Sequence, residues 1–386
     1  MKPKSFMLLA GEASGDMLAA ELVAALREQL PEAVFFGAGG SRLASAGVAL
    51  AFDLTEHAVV GIPSLGKYLK LRELGRQLLA LAIKRQPDFI IGVDYGGFNL
   101  RFGHMAREYV RENPFSTWKP RIIQFVSPQV WASRPGRADR LAADYDLLLS
   151  IIPFEKEWYA QRVPRLRVEF VGHPMIGRYA NGELPRARRD SAGAAAAYRP
   201  PQILLLPGSR RSELRQHLTP MLGAVSMIRA KLPDANAKMV LPDPALALLA
   251  RSLGAKLDIQ IGELPWALSE ADVAIASTGT VTMECAYFGV PTVTLYKKPL
   301  LGLAFALRLI TVDSFTMPNL LAGEEIYPEF LQGRLAAENL ARAALDLLQN
   351  ETRRAKMKSQ LAAVIASLGP PGAPKRAAQA ILSLLQ

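Results

Sequence analysis

Cysteine and histidine are scarce in this sequence. Its 386 residues contain one cysteine and four histidines. The single cysteine, Cys285, excludes an intramolecular disulfide and is typical of proteins from a reducing compartment. Histidine, cysteine and acidic residues nowhere fall at the spacing of metal ligands, so the sequence predicts no metal and no other cofactor.

Long hydrophobic runs and an excess of acidic residues are also missing. No run reaches the roughly 18 uninterrupted apolar residues that a membrane span requires, and the run at residues 6–10 is too short for a signal-peptide core. Lysine and arginine number 46 against 35 acidic residues, which gives a net charge of +11. We therefore expect a cytoplasmic protein with anionic partners, namely nucleic acid, phosphate-bearing substrates or an anionic membrane surface.

Short apolar runs alternate with amphipathic helical segments along the chain. The runs of the first half lie at residues 6–10, 34–36, 89–93, 122–126, 147–152 and 168–171. After a segment rich in arginine, alanine and proline, they resume at residues 203–206, 238–241, 257–261, 273–276 and 292–296. This alternation predicts a mostly parallel, doubly wound α/β sheet, and its restart predicts a second Rossmann-like domain.

The segment at residues 182–202 has no strand pattern and is typical of a linker. We therefore expect an N-terminal domain at residues 1–175 and a C-terminal domain at residues 176–369. A glycine- and proline-rich break precedes the last helical segment. We expect this segment, residues 370–386, to pack back on the N-terminal domain.

A buried-strand pattern ends in an acid at Asp94. Residues 89–93 are apolar or small, and Gly96 and Gly97 follow the acid. In open α/β sheets, ligands bind at the carboxyl ends of the strands, and glycines there let a substrate approach the backbone. Asp94 is therefore a candidate active-site residue, although a cap of the following helix or turn explains it equally well.

The first strand is followed by the loop at residues 11–16, Gly-Glu-Ala-Ser-Gly-Asp. It is neither the dinucleotide fingerprint nor a P-loop with its lysine, and its acids argue against a phosphate there. Ser14 or Asp16 could cap the helix that follows, or the loop could face a substrate.

Two loops of the second half have the composition of anion sites. In the first, Gly208 frees the backbone, Ser209 can donate a hydrogen bond, and Arg210 can hold a phosphate through two hydrogen bonds. The second places small hydroxyl residues and a glycine at a helix N-terminus, namely Ser277, Thr278, Gly279 and Thr280. Glu284, one turn later, could hold the hydroxyls of a ribose. Solvated arginines in the first loop and a simple helix cap in the second are the alternatives.

Two stretches, residues 64–85 and 297–310, combine basic and apolar residues in the manner of helices that lie on anionic lipid. The side chains that we expect at an acceptor or membrane surface are Leu65, Lys67, Leu69, Lys70 and Arg72. Packing of these helices against a core is the alternative.

Two further patterns favour structural roles. Asp144 and Asp146 fit the D-x-D pattern of metal-dependent glycosyltransferases, but they directly precede an apolar run and indicate the polar start of a strand. His173 lies in a Val-Gly-His-Pro loop near the predicted domain boundary.

The motifs, taken in chain order, resemble those of the lipid-A-disaccharide synthase family. They lie at residues 10–16, 37–40, 93–99, 126–131, 153–156, 171–174, 206–213, 277–284 and 317–323. No single motif is specific, but their combined order is, and the likeness spans about residues 5–335.

The resemblance implies a GT-B fold, in which two Rossmann-like domains face each other across a cleft. It implies an inverting, metal-independent transfer of 2,3-diacylglucosamine from UDP to the 6-hydroxyl of 2,3-diacylglucosamine 1-phosphate. The product is the β-1,6-linked disaccharide 1-phosphate. The N-terminal domain would bind the acceptor and the C-terminal domain the UDP-sugar.

The same resemblance makes Asp94 the base and gives active-site roles to Glu12, Arg210 and Asn319. Glu12 competes with Asp94 for the role of base. The implied partners are the two acylated sugars and the inner face of the cytoplasmic membrane, without nucleic acid, and a homodimer is left open.

The chain departs from the family pattern at two positions. Family members commonly have Asp-x-Pro-Asp-Phe-Asn where this chain continues from Asp94 through Gly96 and Gly97 to Asn99. The second acid is therefore absent. Ser64 replaces an acid that is common in the family, which affects the expected contacts with the acceptor.

Two other functions remain open from the sequence. A UDP-N-acetylglucosamine 2-epimerase would share the fold but needs no lipid contact, so the amphipathic stretches argue against it. A basic protein without catalysis, which binds a membrane surface or nucleic acid, would leave Asp94 and the two anion-type loops unexplained.

Overall fold

The computed structural model describes residues 3–55, 65–180, 199–297, 312 and 314–385, without the side chains of Leu65, Lys67 and Ala180. The predicted linker and the amphipathic stretch at 297–310 lie almost wholly outside the described residues, as do His57 and Ser64. The chain forms two compact units. The first comprises Met1–Ala180 and Leu368–Gln386, and the second comprises Asn181–Ser367.

The first unit is built on a seven-stranded sheet in the order β3-β2-β1-β4-β5-β6-β7, and all its strand pairs are parallel. Its strands are β1 (Ser5–Ala10), β2 (Val34–Gly39), β3 (Ala49–Asp53), β4 (Phe89–Val93), β5 (Arg121–Phe125), β6 (Leu147–Ser150) and β7 (Val168–Phe170). Its helices before the second unit are α1 (Ala13–Gln29), α2 (Ser41–Ser45), α3 (Leu65–Arg85), α4 (Gly96–Glu112), α5 (Ala138–Asp144), α6 (Glu155–Arg162) and α7 (Pro174–Ala180).

The sheet of the first unit is buried on both faces. In β1, Met7 and Leu9 point into one apolar cluster, and Phe6 and Leu8 point into another. Since successive side chains of a strand point to opposite faces, continuous apolar runs are what a sheet covered on both sides requires. This explains why the central strands could be predicted from short apolar runs.

The second unit repeats this plan with a six-stranded parallel sheet in the order β10-β9-β8-β11-β12-β13. Its strands are β8 (Gln202–Leu206), β9 (Asn236–Leu241), β10 (Asp258–Ile261), β11 (Val273–Ser277), β12 (Thr292–Tyr296) and β13 (Glu329–Leu331). Its described helices are α8 (Arg211–Lys231), α9 (Pro244–Ser252), α10 (Leu264–Glu270), α11 (Val281–Tyr287), α12 (Met317–Ala322), α13 (Ala337–Gln349) and α14 (Glu351–Ser367).

The last helix, α15 (Ala373–Leu382), belongs to the first unit. Its Ala377, Ala378 and Ile381 are fully buried in the cluster that contains Phe6 and Leu8. The Arg376 side chain fastens the start of this helix, because its Nε donates to the Val171 carbonyl at 2.8 Å. The C-terminal segment thereby completes one face of the first sheet.

The structure differs from the sequence-based expectation at two edge strands and at one motif. Strands β3 and β13 were not predicted, because each is short and has half-exposed residues rather than a continuous buried run. Asp144 is not the start of a strand but the last residue of α5. Its buried carboxylate accepts from His104 Nδ1 at 2.9 Å, which links α5 to α4. Asp146 accepts from Arg107 Nη2 at 2.6 Å and from Ile122 N at 2.7 Å, which links α4 to β5.

Candidate active site

The point where the strand order reverses lies between β1 and β4 in the first unit. Ligands of doubly wound sheets bind at the carboxyl ends of the strands at such a point. Ala10 and Val93 are neighbours at this edge. The loop at residues 11–16 and Asp94 therefore leave the sheet side by side, which local sequence patterns do not reveal.

Asp94 and Ser14 are in contact at this edge. The Ser14 hydroxyl donates to Asp94 Oδ2 at 3.2 Å. Asp94 is half-buried and Ser14 is exposed, so the carboxylate stays accessible while one of its oxygens is oriented by a neutral donor. A carboxylate held in this way can accept a proton from a bound hydroxyl group.

The backbone at Asp94 has an uncommon conformation. Asp94 and Tyr95 both have positive φ angles, 53° and 44°, which cost energy for residues with a side chain. The side chains of Asn99 and Gln124 compensate, because both donate to the Asp94 carbonyl oxygen, at 2.8 and 2.9 Å. The chain thus turns sharply after β4 and presents the Asp94 side chain at the end of the sheet.

The loop after β1 fits closely against this turn. A Cβ atom at Gly11 would overlap the Tyr95 ring, so only glycine allows the two loops to approach. Asp16 is buried and accepts from the backbone nitrogens of Gly40 and Arg42, at 2.7 and 2.9 Å. Asp16 therefore caps α2 and not α1, the helix that it was expected to cap from the sequence.

Glu12 lies on the same loop as Ser14. It is half-buried at the N-terminus of α1. Together with Tyr95, Gly96 and Gly97 it lines a cavity of the first unit. Both predicted candidates for the base, Asp94 and Glu12, therefore lie at the same edge of the same sheet.

The second unit has its own reversal of strand order, between β8 and β11. Leu206 and Ala276 are neighbours at the carboxyl ends of these strands. The two anion-type loops predicted from the sequence, residues 207–210 and 277–280, consequently lie next to each other.

The loop after β8 is held in shape by a carboxylate. Glu213 accepts from Ser209 N at 3.1 Å and forms an ion pair with Arg210 Nη1 at 2.7 Å. Gly208 has a φ of 116°, and a Cβ atom there would overlap the Glu213 side chain. The Glu213 carboxylate therefore occupies Ser209 N and the Arg210 guanidinium, the donors that the sequence predicts for a bound anion.

His217 is a residue of this site that sequence reasoning missed. Its buried ring contacts the Pro207 carbonyl oxygen through Nδ1 at 2.8 Å, and its Nε2 accepts from Lys297 N at 3.3 Å. Burial lowers the pKa of His217, in keeping with a neutral ring that donates through Nδ1. The ring connects the loop after β8 to the end of β12, a contact over 80 residues that the sequence does not signal.

The loop after β11 is fixed by hydrogen bonds to β12 and to the start of α11. Thr278 N donates to the Leu295 carbonyl at 3.1 Å, and Thr282 Oγ1 donates to the Gly279 carbonyl at 2.7 Å. Ser277 is buried at the end of β11, Thr280 is exposed, and Glu284 lies in the first turn of α11. The loop thus presents Gly279 and Thr280 at the surface on a fixed backbone.

Asn319 is buried and fully hydrogen-bonded. Its Nδ2 donates to the Tyr327 carbonyl and to Glu329 Oε1, both at 2.9 Å. Its Oδ1 accepts from the backbone nitrogens of Ile326 and Tyr327, at 3.0 and 2.8 Å. Both amide protons and both oxygen lone pairs are used, so this side chain acts by shaping its own loop.

The helix α3 carries the predicted acceptor or membrane residues. Its Leu71, Leu74 and Leu78 are buried in the core, whereas Leu69 is 53% exposed. Lys70 and Arg72 are exposed as well. The side chains of Leu65 and Lys67 lie outside the described part. The leucines of this helix are therefore divided between the core and the surface. Core packing accounts for the buried ones, and a contact of the exposed ones with acceptor or membrane stays a prediction.

A buried carboxylate lies beneath the loop that follows β5. Glu155 Oε1 accepts from Trp131 Nε1 at 2.8 Å, and its Oε2 accepts from the Ser150 hydroxyl. Burial raises the pKa of Glu155 to about 7, against the effect of these two hydrogen bonds. His173 is half-buried, and desolvation lowers its pKa to about 4. Glu155 thus connects Trp131 to the end of β6, and His173 Nδ1 accepts from Met175 N at 3.3 Å.

The described residues offer neither a metal centre nor a membrane span. Among them, no group of three or more histidine, cysteine or acidic side chains could hold a metal ion. No helix in the described ranges is long and apolar enough to cross a membrane.

Known proteins match the chain over nearly its whole length. A model of the lipid-A-disaccharide synthetase family matches residues 6–383. The lipid-A-disaccharide synthase of Solibacter usitatus is 36% identical over 387 residues, covering 98% of this chain and 97% of that protein. That of Myxococcus xanthus is 33% identical over 389 residues, covering 99% and 98%. These matches confirm the resemblance that the motifs indicated.

Solved structures with the same fold are more distant in sequence. The S. aureus MnaA–UDP co-structure has a TM-score of 0.64 at 14% identity and covers 99% of this chain and 97% of that chain. Acinetobacter baumannii MurG has a TM-score of 0.57 at 15% identity, with coverage of 99% and 100%. At these identities the likeness concerns the fold alone, which is the predicted arrangement of two Rossmann-like domains.

Proposed function

The chain belongs to the lipid-A-disaccharide synthetase family, and from this membership we propose how its residues divide the work of the transferase reaction. The enzyme is a glycosyltransferase of lipid A biosynthesis. It moves 2,3-diacylglucosamine from UDP to the 6-hydroxyl of 2,3-diacylglucosamine 1-phosphate. The bond between the sugar C1 and the diphosphate oxygen breaks, and the β-1,6 bond forms with inversion at C1.

Asp94 is the base in this proposal. The acceptor hydroxyl must lose a proton as it attacks C1, and a carboxylate in hydrogen-bond reach of it can accept that proton. The observation that carries the assignment is the accessible Asp94 carboxylate at the strand reversal of the first unit, oriented by the Ser14 hydroxyl at 3.2 Å. Gly97 stands where relatives commonly have a second acid, so Asp94 is the remaining carboxylate of that motif.

Glu12 has a supporting role in this scheme. It lines the cavity beside Tyr95, Gly96 and Gly97, where its negative charge can orient sugar hydroxyl groups. Its position on the loop next to Asp94 keeps it as the competitor for the role of base.

UDP binds to the loops at the strand reversal of the second unit in this proposal. Gly208 and Ser209 offer backbone donors, Arg210 offers a guanidinium, and Ser277 to Thr280 offer hydroxyl and backbone donors near the start of α11. Glu284 receives ribose hydroxyls, and Asn319 holds the neighbouring loop in shape. The diphosphate displaces the Glu213 carboxylate from Arg210 and Ser209, since both anions need the same donors.

Membrane association is peripheral and uses the exposed side of α3. Leu69, Lys70 and Arg72 are exposed there, and Leu65 and Lys67 continue the same stretch of sequence. Apolar and cationic side chains together favour an anionic lipid surface. We place the enzyme at the inner face of the cytoplasmic membrane, where both acylated substrates partition.

The function is tested by supplying UDP-2,3-diacylglucosamine with and without 2,3-diacylglucosamine 1-phosphate. The proposal predicts that UDP is released and that a tetraacylated disaccharide 1-phosphate appears by mass spectrometry only when the acceptor is present. Release of UDP without acceptor, together with an epimerised sugar, would instead indicate epimerase chemistry. An absence of any turnover would overturn the transferase function.

A further inference from the structure

A cavity of about 690 Å³ lies in the first unit, between α3, α4 and the residues in and before α5. Its volume falls in the range of about 300–1,000 Å³ that is typical of small-molecule sites. Tyr95, Gly96 and Gly97 form part of its wall, so it reaches the turn that presents Asp94. The cavity is therefore contiguous with the candidate active site.

Part of the lining of the cavity is apolar. Leu71 of α3, Phe98 and Phe102 of α4, and Leu141 of α5 line it, and all four are buried. The rings of Phe98 and Phe102 stack with their centroids 6.5 Å apart. This wall suits the first methylene groups of acyl chains.

Another part of the lining of the cavity is strongly basic. Five arginines line it against two carboxylates, Glu12 and Asp144; the arginines are Arg72, Arg101, Arg134, Arg137 and Arg140. Asp144 is already engaged, because it accepts from His104 Nδ1 at 2.9 Å and lies 3.9 Å from Arg140 Nε. Within the described part of the chain, Arg134 and Arg137 have no carboxylate at ion-pair distance.

The arginines repel one another. Burial, and then the charges of Arg134, Arg101 and Arg140, lower the pKa of Arg137. Arg101 is held in place, because its guanidinium lies 5.0 Å from the centroid of the Tyr68 ring. Arg134 and Arg137 thus add positive charge without a carboxylate partner to a cavity that also has apolar lining residues, and such a cavity attracts an anion that carries hydrocarbon.

We propose that this cavity binds the acceptor, with the phosphate monoester held by Arg134 and Arg137 and the sugar ring against Gly96 and Gly97. The inference rests on the function proposed above and adds to it the site and the residues that recognise the acceptor. A guanidinium group can donate two parallel hydrogen bonds to two oxygens of a phosphate, and this fixes the orientation of the phosphate. C1, which carries the phosphate, and C5, which carries the C6 hydroxymethyl group, both flank the ring oxygen, so holding the phosphate limits the positions that the C6 hydroxyl can reach beside Asp94.

An anionic phospholipid headgroup has similar chemistry, but the position of the cavity favours the acceptor. A headgroup site needs only an exposed basic surface, whereas this cavity extends to the glycines beside Asp94. Glycine at these two positions leaves the backbone open to a sugar; nothing lies within 4 Å of a Cβ atom placed at Gly97.

The test compares two acceptors in mixed micelles of a non-ionic detergent, which remove the charge of the membrane. One acceptor is 2,3-diacylglucosamine 1-phosphate and the other is the same lipid without phosphate. The variants are the double substitution Arg134→Gln/Arg137→Gln and the control Arg165→Gln, an exposed arginine of the same unit that does not line the cavity.

We expect wild type and the control to prefer the phosphorylated acceptor in kcat/KM by about 10- to 100-fold, the factor for one or two charged hydrogen bonds. The double variant should lose most of this preference and should turn over the dephosphorylated acceptor as wild type does. The comparison is a double-mutant cycle between arginines and phosphate, so it isolates their mutual interaction.

Three results would overturn the inference. One is an absence of phosphate preference in wild type, and another is an equal loss on both acceptors in the double variant. The third is an unchanged preference with weaker sedimentation on anionic liposomes, which would assign the arginines to lipid headgroups. Failure of the proposed function is distinct from all of these, because wild type would then form no disaccharide from either acceptor.

Discussion

The Ser14 hydroxyl donates a hydrogen bond to Asp94 Oδ2 over 3.2 Å, although the two residues are 80 positions apart in the sequence. The bond joins the start of α1 to the end of β4, at the point where the strand order of the first sheet reverses. It leaves the other carboxylate oxygen, Oδ1, for a hydroxyl group of a substrate. Proton transfer in the proposed reaction depends on this carboxylate.

The hydrogen bond from Asn99 to the turn at Asp94 leads to a prediction for an Asn99 variant. Asn99 Nδ2 donates to the Asp94 carbonyl at 2.8 Å and is buried. Asn99→Leu keeps the approximate volume but removes the donor, so we expect kcat to fall by about 10-fold and stability to fall by about 1–3 kcal/mol, with UDP affinity unchanged. Steady-state kinetics, thermal unfolding and calorimetry measure these three effects.

The control for this prediction is Asn113→Leu. Asn113 is exposed just after the same helix, where its side chain donates only to the Tyr109 carbonyl. The Asn113→Leu substitution should leave kcat unchanged. If Asn99→Leu lowered stability but kept kcat at the wild-type value, the turn would matter for folding and not for the orientation of Asp94.

The assignment of the UDP site predicts a loss of affinity for Arg210→Ala. Removing a guanidinium that holds a phosphate costs about 1.5–3 kcal/mol, so the dissociation constant of UDP should rise by about 10- to 100-fold. Isothermal calorimetry measures it. Arg251→Ala, an exposed arginine in the last turn of α9, removes the same charge from the same unit and should have no effect. Equal affinity in wild type and Arg210→Ala would remove this residue from the site.

The proposed membrane surface predicts a dependence on charge. Replacing Lys67, Lys70 and Arg72 with glutamate reverses three charges on α3, and each cation near an anionic surface contributes about 1 kcal/mol. We expect the variant to remain in the supernatant when anionic liposomes are sedimented, and wild type to be released by salt.

Charge reversal elsewhere on the surface is the matched control for this experiment. Lys119, Arg165 and Arg251 are exposed and lie outside α3. A variant with glutamate at these three positions should keep most of its binding to anionic liposomes. If both triple variants sediment as wild type does, α3 is a helix of the core and not a membrane contact.

Glu155 predicts a pH dependence of stability. The folded protein keeps the Glu155 proton up to a pKa of about 7, whereas the ordinary value is 4.5. Between these values the folded state binds more protons than the unfolded chain, so this group lowers stability as pH rises through that range. Relative to Glu155→Gln, wild type should lose about 3 kcal/mol of its unfolding free energy between about pH 5 and about pH 8.

Urea unfolding at the two pH values measures this difference. Glu157→Gln is the control, because Glu157 is exposed on the same helix and its titration should add little. A difference between wild type and Glu155→Gln that stays constant with pH would mean that Glu155 is ionised throughout.

Local sequence patterns reveal most strands but miss one edge strand of each sheet. The strand before Asp94 was predictable because all five residues of β4 are buried and apolar or small. Strands β3 and β13 were not, since neither has a continuous buried run. The order of the strands brings Ser14 to Asp94. This order depends on the whole sheet and cannot be predicted from any single segment of the sequence.

The residues that support the site were missed for the same reason. Gln124 donates to the Asp94 carbonyl from the neighbouring strand, and His217 joins the loops after β8 and β12. Each is one polar residue in an otherwise ordinary strand or helix, and only its tertiary partners show its role. Asn319 illustrates the reverse, because a motif indicated a ligand contact and the structure shows an amide with every hydrogen bond already made.

The kinetics of Asp94→Asn test the role of Asp94 as the base most directly. The substitution is nearly isosteric and removes only the ability to accept a proton, so it should lower kcat by at least about 100-fold, the low end of the range for a general base. UDP affinity and the melting temperature should stay at the wild-type values, and Glu12→Gln should retain more activity than Asp94→Asn. Near-normal turnover in Asp94→Asn, with Glu12→Gln inactive, would contradict this assignment and make Glu12 the base.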